Sequence, residues 1–377
     1  MKHCSARGLN DPSASFLVQG EMRVKRRILA FGVVMSAVLA AFASRRDFPV
    51  EDFGLTDRPP IADVETDLVT VTIDSVANRI EFTVGPVALP AGLPGLRLPI
   101  QLAELPVHGW LHGFDWEIRN ARGRVYSPDL LHHFNLIDPD RRELFSPVAR
   151  RVLAFGRETE GQQLPAFVGY PLQSNTRFLL VTMFANPGVE SIDSAYLHLR
   201  LDFTPYKRAV QPLSVFPFHL DVAGPVGEKD FPVPPGRTIK AWEGSPATDA
   251  RILAIGGHVH DYARMLRLED VTTGDVLWSA HLDEVDGRVQ GVSRTMAWKR
   301  GGILLHANHR YRAVVEYQNS TSEPTLHGGM GVIGGIALVR GSFPSFDRQN
   351  TDYATDLANV ISAPQRAHAG HSHASHH

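Results

Sequence analysis

The chain reads as an all-β protein built from two tandem antiparallel β-sandwiches of jelly-roll type. Short runs rich in β-branched and aromatic residues, such as Leu68–Ile73 and Ile80–Val84, recur along it between turn signals. Long helical periodicity is nearly absent. The length of 377 residues favours two domains over one.

Taken in order, residues 1–43 read as an export signal. Arg23–Arg27 is a basic region, Ile28–Ala43 is an unbroken run of apolar and small residues, and Ala41-Phe42-Ala43 fits a cleavage site before Ser44. Met22 is an alternative start, which would make residues 1–21 a mis-called extension. The run is short for a membrane span of about 20 residues, so a periplasmic or extracellular chain is expected, with an uncleaved membrane anchor as the alternative. The single cysteine, Cys4, lies before the cleavage site. A mature chain without thiols excludes cysteine nucleophiles, zinc ribbons and iron–sulfur clusters.

Residues 44–205 read as the first sandwich. Beyond the two runs already named, strands are expected at Phe114–Ile118 and Arg124–Tyr126, at Phe178–Phe184 and at Ser194–Phe203. Ala88–Pro99 and Val107–Phe114, the latter carrying His108 and His112, read as Gly- or Pro-rich loops. Val148–Phe155 reads as at best a short helix. A proline-bearing segment from Thr204 to Pro212 reads as the junction.

Residues 206–341 read as the second sandwich. Its expected strands are Ser214–Val222, Arg237–Glu243, Arg251–His258, Arg264–Asp270, Arg294–Trp298, Arg312–Tyr317 and Val332–Val339, with a hairpin turn at Thr272–Asp275. Residues 342–377 read as a polar tail, disordered but for at best a short helix at Tyr353–Ile361. It ends in His368, His371, His373, His376 and His377. That composition suits metal capture, with an inert tail as the alternative.

The formal net charge of -2, without a basic stripe, gives no reason to expect nucleic acid as a partner. No nucleophile elbow, zincin helix, phosphate loop or dinucleotide fingerprint is present. The chemistry lies in histidines. His258 and His260 follow the apolar run Arg251–Ile255; at positions i and i+2 of a strand their imidazoles share one face. Such a pair chelates copper, zinc, iron or nickel, and a nearby thioether, Met330 in Gly329-Met330-Gly331, tilts the choice toward Cu(I). Asp261 is placed to orient a ligand through its second ring nitrogen, or to serve the turn, and His327 to support the same site. His132 and His133 are adjacent, so they reach one metal only at a strand end or a bulge. Structural or surface roles are expected of His306 and His309.

In this order, Pro212-Leu213, Pro225–Lys229, His258-x-His260, Val314–Thr321 and Gly329-Met330 resemble the copper type II ascorbate-dependent monooxygenases, the peptidylglycine α-hydroxylating and dopamine β-monooxygenase family with its bacterial relatives. Leu130–Asn135 and Phe167–Tyr170 extend the resemblance to roughly residues 120–340. It implies an oxygen-binding copper on His258, His260 and Met330, and a second, electron-storing copper on His132 and His133. Ascorbate or another reductant would supply electrons for hydroxylating a C–H bond of an unidentified small-molecule or peptide substrate. The chain departs from the pattern where the family carries a third histidine: Leu180–Asn186 has none. Phe184 stands at that position, and Met183 beside it is a candidate soft ligand. A non-catalytic copper-binding or copper-handling protein on the same fold is one alternative. A secreted β-sandwich binding module is another.

Overall fold

Ile80, Phe82 and Val84 are buried while Arg79 is exposed and Glu81 and Thr83 are only partly buried, and this period of two turns one strand face into a core. The computed structural model describes residues 61, 64, 67–157, 159–207, 211–285, 288–340, 343–344 and 347–362. The expected export signal and the terminal histidines lie outside them.

The first sandwich contains β1 (Val69–Asp74), β2 (Arg79–Leu89), β3 (Leu93–Arg97), β4 (Gln101–Leu105), β5 (Gly109–Arg119), β6 (Leu131–Arg142), β7 (Ala149–Phe155), β8 (Gln162–Gln163), β9 (Val168–Leu172), β10 (Thr176–Asn186), β11 (Ile192–Pro205) and β12 (Leu213–Ser214). One sheet runs β1-β2-β11-β5-β9-β12 with β8 beside β5; the facing sheet runs β3-β10-β6-β7 with β4 also on β10. Phe82, Leu105, Phe134, Phe178 and Leu197 fill the space between them.

The second sandwich contains β13 (Phe216–Asp221), β14 (Phe231–Val233), β15 (Gly236–Gly244), β16 (Ala250–Val259), β17 (Ala263–Asp270), β18 (Asp275–Ser279), β19 (Leu282–Val285), β20 (Arg288–Val292), β21 (Ile303–Leu305), β22 (Tyr311–Asn319), β23 (Thr325–Gly329) and β24 (Gly331–Val339). Its sheets are β13-β24-β16-β21 and β15-β22-β17-β18, with short pairs β14-β23 and β19-β20. The protein is thus all-β, and its sheets are antiparallel apart from the β12–β9 pairing. The hairpin at Thr272–Asp275 forms as expected: Asp270 Oδ1 accepts from the Thr272 and Thr273 amides at 2.9 and 3.2 Å.

Four local expectations are corrected. The segment Ala88–Pro99 contains β3, and Val107–Phe114 is the start of β5. On β5 the glycines mark close approach rather than a loop: a Cβ on Gly109 would lie 2.3 Å from the Thr204 carbonyl oxygen. Val148–Phe155 is strand β7, ordered by pairing with β6. Arg294–Trp298 contributes only an isolated bridge, Ile255 to Thr295, before a short 3-10 turn at Ala297–Arg300. The short helix expected at Tyr353–Ile361 forms as α1, Thr351–Ser362. Asn350 Oδ1 caps its start by accepting from the Asp352 amide at 2.9 Å. No helix among the described residues is long and apolar enough to cross a membrane.

Helix α1 lies on the outer face of the β3-β10-β6-β7 sheet. Tyr353, Leu357 and Val360 cover Ile100, Ile137, Leu179 and Val181, the residues that alternate with those pointing into the first core. Asp356 grips Arg151 of β7 with both oxygens, at 2.9 and 2.5 Å, and Tyr353 donates to the Pro139 carbonyl at 3.2 Å. The two sandwiches are joined by the turn between β6 and β7. Leu144 and Phe145 leave the first sandwich and enter the second core, where the Phe145 ring stands 6.3 Å from Phe218 and 6.1 Å from Tyr311. Leu144 also accepts a hydrogen bond from the Ala247 amide at 2.8 Å.

Glu143, at the root of this turn, is 1% exposed. Its Oε1 accepts from the Arg151 amide at 2.6 Å, while its Oε2 is buried without a hydrogen-bond partner. Burial pushes the carboxyl up to about 7, against the pull of Arg151 and Arg150. A carboxyl raised from 4.5 to about 7 binds more protons folded than unfolded in that interval, so its contribution favours folding below pH 4.5 and is lost as pH rises to about 7. Glu143→Gln is therefore expected to match the parent near pH 4 and to exceed it by up to about 3 kcal/mol at pH 8. Urea unfolding of both proteins across this range checks it; a difference that does not grow with pH rules it out.

Candidate metal-binding centre at the junction of the sandwiches

The register of β16 sets the first pair of candidate ligands. A Cβ on Gly257 would stand 2.4 Å from Leu266 Cδ2 and 2.5 Å from the Val332 carbonyl oxygen, so one face of β16 is pressed flat against its neighbours. His258 is on the other face. His260 follows at i+2, just past the strand end, and the two rings stand edge to face with centroids 5.1 Å apart.

Met330 comes to this pair through the sheet. Val259 pairs with Gly331 across β16 and β24, which puts Met330 opposite His260. The glycines around it have no room for side chains: a Cβ on Gly329 would meet the Phe231 ring at 2.4 Å, and one on Gly331 would meet Val315 at 2.8 Å. A fully buried tyrosine then pins the arrangement. Tyr317 Oη accepts from the His260 amide at 3.1 Å and the Met330 amide at 2.9 Å, and donates to the Met330 carbonyl. Burial pushes this phenol up to about 12, which keeps it a donor.

His132 and His133 meet the condition set for adjacent ligands. His133 pairs with Met183 but Leu131 pairs with Phe184, so β6 carries an extra residue, His132, in a bulge opposite β10. The two rings lie 4.3 Å apart at 69°. Met183 is the direct cross-strand neighbour of His133 and 8% exposed, whereas Phe184 is fully buried in the first core.

The two pairs meet across the junction. The His133 ring, from the first sandwich, stands 6.0 Å from the His258 ring of the second, at 86°. Four imidazoles thus run in a chain, His132-His133-His258-His260, each ring near the next. Among the described residues no three His, Cys, Asp or Glu side chains converge tightly enough to hold one ion. The backbone register sets Met183 opposite His133 and Met330 opposite His260, and two imidazoles with a thioether are a donor set that suits Cu(I).

Other histidines go elsewhere. His108 stacks on Tyr206 at 4.4 Å, and His112 is on β5 of the opposite sheet with a buried Nδ1 that has no hydrogen-bond partner. His309 bonds Asp270 at 2.7 Å and stands 5.0 Å from His306, a contact that ties the 306–310 loop to β17. Asp261 accepts from the Val289 amide at 3.1 Å. The His327 side chain lies outside the described residues.

A buried charged cluster adjoins the centre. Asp221, at the end of β13, is 4% exposed, and burial pushes its carboxyl up to about 6, opposed by Lys229, Arg151 and His258. Burial lowers Lys229, whose Nζ donates to the Gly224 carbonyl at 2.6 Å. Desolvation, with Arg151 and Lys229 nearby, drops His219 to about 3 and keeps that imidazole neutral. Sequence reasoning missed Tyr317, Asp221 and Arg151. The turn Pro225–Lys229 was the only local signal, and it did not reveal Lys229's carboxylate partner.

No family model matches this chain, and no curated protein matches it. Solved structures are similar only in outline. The major capsid protein P2 of bacteriophage PM2 is 9% identical, covers 69% of this chain and 97% of its own, and superposes with a TM-score of 0.35. PNGF-II, at 9% identity, covers 73% of this chain and 62% of its own with a TM-score of 0.27.

Proposed function

We propose that this is an exported copper protein that hydroxylates a C–H bond with O2 and electrons from ascorbate or another reductant. One observation carries the reading: the His132–His133 and His258–His260 pairs, from different sandwiches, meet at 6.0 Å across the junction. Structural histidines have no reason to gather from two segments 125 residues apart into one chain of rings, whereas chelation by pairs does. His258, His260 and Met330 would hold one copper; His132 and His133, with Met183, would hold a second. Bound copper supplies one-electron chemistry with O2. The chain's own part is to fix the imidazoles, which β16 and the β6 bulge do, and to hold the soft donor in place, which Tyr317 does.

A second reading is copper handling without hydroxylation. Met183 favours it, because a thioether paired with His133, next to the position where the resembled enzymes carry a third histidine, makes both pairs suited to Cu(I). The decisive experiment uses the full chain with its five terminal histidines replaced by serine. Copper content is expected to be about two ions per chain, and His258→Ala with His260→Ala is expected to remove about one. Unchanged content in the double variant would sink the copper reading. Two coppers that never couple ascorbate oxidation to any hydroxylated product would leave copper handling.

A further inference from the structure

We infer that His306 and His309 form a separate metal site, which holds an exchangeable divalent first-row cation between two imidazoles at the far end of the second sandwich. It does not depend on the copper reading above. Leu305, the residue before His306, pairs with Ala250 at one end of β16, and His258 lies eight residues along that strand. At about 3.3 Å per residue the two sites are about 26 Å apart.

The pair is made by one turn. The His309 amide donates to the His306 carbonyl at 3.0 Å, which closes His306-Ala307-Asn308-His309 and brings its first and last residues together. Their rings stand with centroids 5.0 Å apart, close to the 5.1 Å of His258 and His260. Two imidazoles bound side by side to one ion, each nitrogen about 2.0–2.1 Å from it, have centroids roughly 4.5–5.3 Å apart. The observed spacing falls in that interval.

The turn is held from three sides before any ion arrives. The His306 amide donates to Tyr311 Oη at 2.7 Å, the Ala307 amide to Asp249 Oδ1 at 2.8 Å, and the Arg310 amide to Thr272 Oγ1 at 2.9 Å. Tyr311 is fully buried, so the turn is anchored in the second core. Little freedom is left to lose on binding.

Asp270 sets which nitrogen faces the ion. Its Oδ1 accepts from the Thr272 and Thr273 amides, and its Oδ2 meets His309 Nδ1 at 2.7 Å. A carboxylate only accepts, so Nδ1 carries the proton and Nε2 keeps its lone pair. Carboxylate–histidine–metal relays use this arrangement. Asp270 therefore acts through His309 and is not itself a ligand. The His309 side chain is 22% exposed and His306 is exposed, so an ion reaches the pair from water. The one neighbouring cation on the turn, Arg310, is turned to Glu243 at 3.3 Å. Two imidazoles without sulfur suit Ni(II), Cu(II) and Zn(II), with water completing the coordination.

The test titrates Ni(II) calorimetrically into the full chain with its five terminal histidines replaced by serine. His306→Ala removes an exposed side chain and leaves the His309–Asp270 bond, so the fold is kept, which circular dichroism checks. This variant is expected to lose one Ni(II) per chain, or to bind that ion about tenfold or more weaker. An isotherm equal to the parent's overturns the site, as does a parent that binds no Ni(II). His258→Ala with His260→Ala is expected to keep the ion that His306→Ala removes. If that ion is lost only when His258 and His260 are replaced, it belongs to the junction and the proposal fails. The copper reading is judged by copper content, so either can fail without the other.

Discussion

Replacing Asp356 with alanine is expected to destabilise the protein by about 3–5 kcal/mol, because it leaves a buried cation without its partner. The Arg151 side chain is 12% exposed and that of Asp356 is 4% exposed, so water cannot replace the lost carboxylate. Glu143 and Asp221 are nearby anions, but Glu143 meets Arg151 through the backbone amide, and burial holds both carboxyls partly protonated. A lower urea midpoint with an unchanged slope would match this expectation. Asp356→Asn keeps one acceptor and should lose less. If both variants unfold like the parent, the Arg151–Asp356 pair does not hold α1 to the sheet.

Tyr317→Phe is the second large effect. It removes one hydroxyl that serves two amides and a carbonyl, all at part-buried positions, and costs about 1–3 kcal/mol for the groups left unpaired. The ring stays packed, edge-on to Phe231 at 5.8 Å, so the variant should fold. Its specific signature is at Met330. With the backbone of residue 330 no longer tied to that of residue 260, the sulfur contribution to the X-ray absorption of the copper-loaded protein should weaken while the imidazole contribution persists. A sulfur signal equal to the parent's would show that the close-packed glycines on either side of Met330 position it without the tyrosine.

How much of this was legible in the sequence depends on the range of each interaction. The pairing of His258 with His260 needs only a strand period, and it was readable. The use of His132 with His133 needed a bulge, which the sequence could name as a condition but not supply, because the extra residue is defined by β10 rather than by β6. The encounter of the two pairs was legible only in outline, as two histidine sets facing each other at the cleft between the sandwiches, without the rings that meet. It depends on how Leu144 and Phe145 seat in the other core. Tyr317 reads as one more aromatic strand residue, and only the fold reveals that its hydroxyl sits between residues 260 and 330. The helix α1 was underestimated for another reason. Tyr353, Leu357 and Val360 have the i, i+4, i+7 spacing of an amphipathic helix, but their polar surroundings masked a stripe that needs the sheet's outer face to be worth burying.

The intrusion of Leu144 and Phe145 has a consequence for how this chain could be taken apart. A cut near residue 205 follows the sequence boundary but not the energetic one. The second sandwich alone would keep a socket without its plug, and the first alone would present two large apolar side chains to water. The halves are therefore coupled in folding: separating them exposes Leu144 and Phe145 on one side and their socket on the other.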